Sequence, residues 1–176
     1  MAEEGITLIE PCEDLREAYI EYVKECREAG ETMTPWVLDR PIDNFTSLLS
    51  WLKEQSKGIG IKEGFVSHST FWLVDSNEQI LGVTNLRHAL TEFLLREGGH
   101  IGYSVRPSER GKGYATAMVT LVLEKAKELG LEKVLITCDK DNPASARVIE
   151  KNGGKLDNEL VSKESGKMTQ RYWIEL

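Results

Sequence analysis

The chain has 176 residues, of which 40% are hydrophobic and 29% charged, and its formal net charge is -7. This composition is typical of a folded soluble protein rather than a disordered one, and no apolar run approaches the ~20 residues that a membrane-spanning helix needs. We expect one domain over residues 1–176 and, because of the negative charge, neither nucleic acid nor an anionic membrane as partner.

The amino terminus and the cysteines favour a cytoplasmic location. Residues 1–5 are acidic and lack the basic and apolar regions of a signal peptide. The three cysteines, Cys12, Cys26 and Cys138, are scattered, and no pair has the spacing of metal ligands. We therefore expect reduced thiols, a cytoplasmic protein and no metal site.

The first half of the chain predicts a short strand, two amphipathic helices and a hairpin. In the first helix, apolar residues recur at i, i+3, i+4 and i+7, which places them on one helical face. The expected elements are a strand over 5–10, a helix from Asp14 to Gly30, a helix from Asp43 or Asn44 to Gly58, and strands over 65–75 and 79–88. A connection over 89–99 with short helical turns follows them.

The second half predicts a strand–helix–strand unit, another helix and a terminal hairpin. Side chains alternate over 100–105, and Pro107 ends this strand because it lacks an N–H group. The expected elements are strand 100–105, helix 113–129, strand 133–138, helix 143–152 and strands 155–161 and 170–175. Because a strand–helix–strand crossover joins parallel strands, we expect an α/β fold with a mixed sheet and helices on both of its faces.

A cationic turn joins strand 100–105 to helix 113–129. Its charged residues are Arg106, Glu109, Arg110 and Lys112, which give an excess of +2 in a chain of -7. The free N–H groups of a first helical turn and the helix dipole favour an anion at this position, and Gly113 lets the backbone approach a ligand closely. The P-loop pattern is absent, and the dinucleotide pattern Gly-x-Gly-x-x-Gly is incomplete because Thr116 stands at its last position.

Two short motifs carry the strongest functional signal. Arg110, Gly113 and Ala115 form Arg-x-x-Gly-x-Ala after a strand and Val-x-Pro. Further on, Asn142-Pro-Ala-Ser145 leads to Glu-Lys-Asn-Gly at 150–153. The first motif resembles the pyrophosphate loop of the GCN5-related N-acetyltransferase (GNAT) family, the second resembles that family's next motif, and the order of elements also matches.

The resemblance implies acetyl-CoA as co-substrate and direct transfer of its acetyl group to a primary amine of a small molecule or peptide. It implies a GNAT-like fold in which strands 100–105 and 133–138 splay apart. Main-chain N–H groups of the loop would hold the pyrophosphate, and backbone groups of Tyr103 and Val105 would bond the pantetheine arm and the acetyl carbonyl. The implied cofactor-binding residues are Tyr103, Val105, Arg110, Gly111, Lys112, Gly113, Tyr114, Ala115, Asn142 and Ser145.

The catalytic groups depart from the family's pattern. Many members carry a Tyr before Glu-Lys-x-Gly that protonates the departing thiolate, but this chain has Ile149 there. Tyr103 or a water then serves instead, or the thiolate leaves unprotonated. His100 is the first candidate for the base, since its ordinary pKa of about 6.5 suits that task, and the alternative is a histidine without a chemical role. Glu97 and Asp139 are weaker candidates for the base.

Two other functions stay open at this point. The missing Tyr allows a non-catalytic acyl-CoA-binding module, and a ribosomal-type protein N-terminal acetyltransferase is the second alternative. Asn142 is also expected to cap a helix, because Asn before Pro is a strong helix start. Acceptor specificity is expected within 30–65 and 85–100, where there is no motif, and a homodimer is left open.

Overall fold

A computed structural model describes residues 5–176, so most of the acidic segment that argues against a signal peptide lies outside the described residues. The described part contains seven β-strands and four α-helices, in the order predicted from the sequence. The strands are β1 (Thr7–Ile9), β2 (His68–Val74), β3 (Ile80–Arg87), β4 (Ile101–Val105), β5 (Lys133–Asp139), β6 (Lys155–Val161) and β7 (Met168–Glu175). The helices are α1 (Arg16–Glu28), α2 (Phe45–Ser56), α3 (Tyr114–Glu128) and α4 (Pro143–Lys151).

The strands form two antiparallel sheets, with orders β1-β2-β3-β4 and β5-β7-β6. Where the sheets meet, the N–H of His100 donates to the carbonyl of Leu135 at 2.7 Å. Three residues further along each strand, Tyr103 on β4 and Cys138 on β5 line opposite sides of one cleft. The two strands therefore run in the same direction and diverge beyond the junction. The predicted splayed parallel strands are thereby confirmed, and the splay divides the expected mixed sheet in two.

Helices cover both faces of the first sheet, as predicted. On one face, α1 and α2 pack around the fully buried Trp72, whose ring stacks on Tyr19 with centroids 4.8 Å apart. On the other face, Met118 of α3 packs against Leu73, while α4 places Ile149 in the core with β5 and β7. Full burial of each such side chain contributes about 1.5–3 kcal/mol. None of the described helices is long and apolar enough to span a membrane.

A short π-helical turn, Leu94–Gly98, bridges the two sheets near the end where β4 and β5 meet. Side-chain donors from three strands bond to the carbonyl oxygens of this turn and to the carbonyl oxygen of Gly99, which follows it. These bonds run from Arg87 Nη1 to Gly98 O (2.8 Å) and Gly99 O (3.0 Å), from Thr137 Oγ1 to Glu97 O (2.7 Å), and from Arg171 Nε to Leu95 O (2.9 Å). The turn is therefore fixed to β3, β5 and β7 at once.

Candidate active site

A cleft of about 1000 Å³ lies between the splayed strands. One wall is β4, and the other consists of the end of β5 and one face of α4. Phe93 and Glu97 lie at one end of the cleft, and the N-terminus of α3 lies at the other. This volume is at the upper end of the range for pockets that bind small molecules.

Nine of the ten predicted cofactor-binding residues line this cleft. They are Tyr103, Val105, Arg110, Gly111, Gly113, Tyr114, Ala115, Asn142 and Ser145. Lys112 is not among the lining residues, and its Nζ pairs with Glu109 Oε2 at 2.7 Å. The two sequence motifs thus meet at one place, although their binding role itself stays a prediction.

The N-terminus of α3 forms an open cradle of N–H groups. Gly111 and Gly113 adopt φ angles of 80° and 89°, and a Cβ at either position would meet nothing within 4 Å. No side chain of the described residues caps the helix, so the N–H groups of its first turn stay available to a ligand. Side chains of L residues disfavour this left-handed backbone, which explains the two glycines. The cradle fits an anionic group such as a pyrophosphate.

Acidic residues at the end of α1 and just beyond it neutralise the basic side chains of the loop. Arg106 is buried, and its Nη1 lies 3.1 Å from Glu25 Oε2. The guanidinium of Arg110 makes two hydrogen bonds to Glu31, of 2.7 and 2.8 Å. The local excess of +2 counted from the sequence is therefore cancelled by Glu25 and Glu31. Attraction for an anion then depends on the N–H groups and on the helix dipole.

Glu25 holds the start of the loop in place. Its Oε1 accepts the N–H of Ser108 at 2.7 Å, in addition to the contact with Arg106. Burial alone would raise the pKa of Glu25, but the hydrogen bonds from Ser108 and Arg106 outweigh it and lower that pKa below its ordinary value. The carboxylate is therefore ionised at neutral pH and clamps the loop to α1.

Tyr103 presents both its backbone and its hydroxyl group to the cleft. The N–H of Arg106 bonds to Leu81 on β3, and since N–H groups alternate sides along a strand, that of Tyr103 points away from β3 into the gap. The hydroxyl of Tyr103 lies 2.7 Å from Ser145 Oγ. Burial raises the pKa of Tyr103 to about 12, so the phenol stays protonated at neutral pH.

Asn142 and Ile149 occupy the two ends of α4. The side chain of Asn142 accepts the N–H of Ser145 at 3.2 Å, so it caps the helix as expected while it also lines the cleft. Ile149 is fully buried in the core and does not line the cleft. Tyr103, on β4, instead places a phenol hydroxyl beside α4, next to that of Ser145.

His100 lies outside the cleft. Only 5% of it is exposed, and its Nδ1 accepts the N–H of Leu135 at 2.9 Å. Burial, together with the charge of Arg87, lowers the pKa of His100 to about 4, so the ring is neutral at neutral pH. It joins the two sheets where they meet. This placement does not support a general base and agrees with the alternative of a histidine without a chemical role.

Several cleft residues were not found from the sequence. Arg147 and Lys151 lie one helical turn apart on α4, and both line the cleft. Their spacing after the Asn142 motif is a signal that could have identified them. At the opposite end, Ser162 and Glu164 come from the turn between β6 and β7, for which the sequence offers no motif.

The comparisons with known proteins agree with this geometry. The sequence matches the model of the acetyltransferase (GNAT) domain over residues 6–155. No curated protein matches the chain.

Three solved structures have the same fold at 16% identity. An acetyltransferase from Salmonella typhimurium that modifies the N-terminal serine of a 50S ribosomal protein has a TM-score of 0.71, over 100% of this chain and 98% of that one. A spermidine N-acetyltransferase from Vibrio cholerae, solved with CoA and spermine, has a TM-score of 0.68 over 98% and 96%. The microcin self-immunity acetyltransferase MccE, with acetyl-CoA and AMP, has a TM-score of 0.68 over 99% and 94%.

The family model covers most of the chain, which confirms the resemblance of its two motifs and, with it, acetyl-CoA as co-substrate of an N-acetyltransferase. The chain belongs to the GNAT acetyltransferase family.

Proposed function

We propose that this protein binds acetyl-CoA in the cleft between β4 and β5 and transfers the acetyl group to a primary amine of a small molecule or peptide. The observation that carries the proposal is the open N–H cradle of Gly111 and Gly113, which opens into the same cleft as the backbone of Tyr103. One end of the cleft suits a pyrophosphate, and its middle suits a carbonyl group that needs hydrogen-bond donors.

The proposed cofactor site uses main-chain groups more than side chains. The N–H groups of residues 111–116 hold the pyrophosphate at the start of α3, and Arg147 and Lys151 add positive charge from α4. The backbone of Tyr103 and Val105 bonds the pantetheine arm. Asn142 and Ser145 contact the same arm from the opposite wall.

Tyr103 is the proposed catalytic residue. Its main-chain N–H stabilises the oxyanion of the tetrahedral intermediate, because a fixed donor is strongest where charge develops. Its hydroxyl donates a hydrogen bond to the departing thiolate. Since the pKa of Tyr103 is raised to about 12, the phenol stabilises the thiolate without being ionised itself.

The attacking amine must lose a proton, because only the neutral form is a nucleophile. Glu97 and Asp139 line the cleft, but Glu97 accepts two hydrogen bonds from the β6–β7 turn and Asp139 lies 3.5 Å from Lys167. We therefore propose that water in the open cleft, rather than His100 or either carboxylate, accepts the proton of the attacking amine.

The acceptor enters at the end of the cleft that Phe93, Glu97 and Glu164 line. Carboxylates there suit an amine, which arrives as a cation at neutral pH. Neighbours that acetylate spermidine or an N-terminal serine support an amine acceptor. The free cysteines support a cytoplasmic location, and the homodimer stays a prediction.

An assay of thiol release tests the proposal. Purified protein with acetyl-CoA and a panel of primary amines, including spermine and a serine-initiated peptide, is expected to release CoA in step with acetylated amine. Thermal stabilisation by CoA without turnover on any amine would favour the non-catalytic binding module. Mass spectrometry separates side-chain or small-molecule products from an acetylated protein N-terminus. The comparisons favour neither of the two alternative functions.

A further inference from the structure

We propose that Glu97 is a positioning residue for the acceptor: it fastens the turn between β6 and β7 to the 94–98 turn and so shapes the acceptor end of the cleft. This rests on the proposed function, since an acceptor site has a meaning only in a transferase. It assigns to Glu97 a role different from that of a general base.

Both carboxylate oxygens of Glu97 are engaged by the same turn. Ser162 Oγ donates to Oε2 at 2.6 Å, and the N–H of Lys163 donates to Oε1 at 2.9 Å. Hydrogen bonds to a charged acceptor are about twice as strong as those between neutral groups. The main chain of Glu97 is itself fixed to β5 by Thr137. The carboxylate therefore connects an immobilised segment to a turn 65 residues further along the chain.

These bonds also make Glu97 a weak base. The hydrogen bonds from Ser162 and Lys163 lower the pKa of Glu97 below its ordinary value. A carboxylate with a lowered pKa accepts a proton less readily. The geometry therefore favours a mechanical role.

The β6–β7 turn is folded around Ser162, which is buried. The N–H groups of Glu164 and Ser165 donate to Ser162 Oγ at 3.2 and 3.1 Å, and the N–H of Gly166 donates to the carbonyl of Ser162 at 3.0 Å. Glu97 thus holds the residue on which the whole turn is built. Since Ser162, Glu164 and Ser165 line the cleft, the position of this turn sets the shape of its acceptor end.

Glu97 lies far from the cofactor loop. β4 runs from the 94–98 turn towards that loop, and its four residue steps from Ile101 to Val105 span about 13 Å at ~3.3 Å per residue. The loop begins only beyond Val105. A change at Glu97 is therefore expected to affect the acceptor and to leave the cofactor site intact.

The test compares Glu97→Ala, Glu97→Gln and the control Glu92→Ala, which removes an exposed acid from the same connection. With spermine and a serine-initiated peptide as acceptors, Glu97→Ala is expected to raise the acceptor KM about tenfold and to leave the acetyl-CoA KM within about twofold. Glu97→Gln is expected to restore part of the acceptor affinity, because its amide oxygen can still accept from Lys163, while the acceptor for the Ser162 hydroxyl and the negative charge are lost. Glu92→Ala is expected to match the wild type.

Two kinetic results would overturn the proposal. If Glu97→Gln loses kcat as fully as Glu97→Ala while KM is unchanged, the charge of Glu97 acts in proton transfer. If the KM values for both substrates rise together, the residue supports the fold in general.

Hydrogen exchange of the free protein gives a readout that does not depend on activity. Glu97→Ala is expected to lose protection over residues 162–168 and to keep it in α3, whereas Glu97→Gln is expected to lose less protection over 162–168. If exchange over 162–168 is unchanged in Glu97→Ala, Glu97 does not hold the β6–β7 turn in place and the proposal is wrong. A wild type that acetylates no amine would defeat the proposed function, while this exchange result would still decide on Glu97.

Discussion

The two ends of the cleft are built in different ways. At the cofactor end, consecutive main-chain N–H groups of residues 111–116 come from a single loop and helix. At the acceptor end, side chains of two distant segments meet: residues 93–97 and 162–165. A site made from consecutive backbone leaves a short motif in the sequence, whereas a site assembled from distant side chains leaves none.

The electrostatics of the two ends differ as well. The cofactor end combines the positive end of a helix dipole with Arg147 and Lys151 on α4, while the basic side chains of the loop itself are neutralised. The acceptor end carries Glu97 and Glu164. One cleft therefore favours an anion at one end and a cation at the other, which suits a phosphorylated donor and an amine acceptor.

The largest effect is expected from a substitution at the cofactor end of the cleft. Gly113→Glu is expected to weaken CoA binding by at least about 100-fold, because it places a negative charge and a Cβ in the anion cradle. Gly130→Glu is the matched control: Gly130 has a φ of 83°, open space around its Cβ position, and lies at the opposite end of the same helix. Calorimetric titration with CoA checks both, and a Gly113→Glu variant with full affinity would contradict the cradle.

The clamp beneath that end is tested by Glu25→Ala. The substitution leaves the buried Arg106 without its carboxylate partner. It is expected to lower the free energy of unfolding by about 2 kcal/mol, or roughly 30-fold in the unfolding equilibrium. Glu28→Ala is the control, since Glu28 is an exposed acid on the same helix, and it should change stability by less than about 0.5 kcal/mol. Urea denaturation measures both variants.

The pH dependence of this difference has a definite sign. Because the folded-state pKa of Glu25 is lowered, its contribution is present above the unfolded pKa of about 4.3 and is lost as pH falls through the folded value. The gap between wild type and Glu25→Ala should therefore be full at pH 7 and shrink on acidification below about pH 4. A gap that grows on acidification would contradict this account of Glu25.

Tyr103→Phe tests the role of the hydroxyl group in the middle of the cleft. Loss of the hydroxyl removes the donor to the departing thiolate, and we expect kcat to fall about tenfold with little change in either KM. Tyr172→Phe is the control, because that hydroxyl bonds Gln170 outside the cleft. Steady-state kinetics at saturating acetyl-CoA measure the effect, and an unchanged kcat would mean that the thiolate leaves without help from Tyr103.

The smallest expected effect concerns the charges on α4. Arg147→Ala and Lys151→Ala are each expected to weaken CoA binding by up to about fivefold, since exposed ion pairs contribute up to ~1 kcal/mol. Added salt should reduce the difference from wild type. Lys155→Ala, an exposed lysine on β6, serves as the control. Equal losses in all three variants would remove any special role for α4.

The element order, and the place where the two motifs meet, could be predicted from the sequence for physical reasons. The periodicity of α3 and the alternation of β4 are local signals, and glycines at positive φ mark the turn between them. The charge excess in the loop was also inferred from neighbouring residues alone, but Glu25 and Glu31 cancel it. Both acids precede the loop by some 80 residues and pack on it only in the fold.

His100 and Glu97 show the limit of local inference most clearly. A histidine at the start of β4 looks chemically suitable, but the meeting of the two sheets buries it and bonds it to Leu135. Glu97 stands in a connection without a motif, and its partners come from the β6–β7 turn. Their environments depend on tertiary contacts, which no window of sequence contains.

The central claim is that the cofactor lies between the splayed strands on the N–H groups that open α3. Amide chemical shifts recorded during a titration with CoA test it most directly. The largest changes are expected at residues 110–116, at Tyr103 and over 142–151, with β1 and α2 unaffected. Saturable binding of CoA with its largest changes elsewhere, and none at Gly113 or Tyr114, would contradict it.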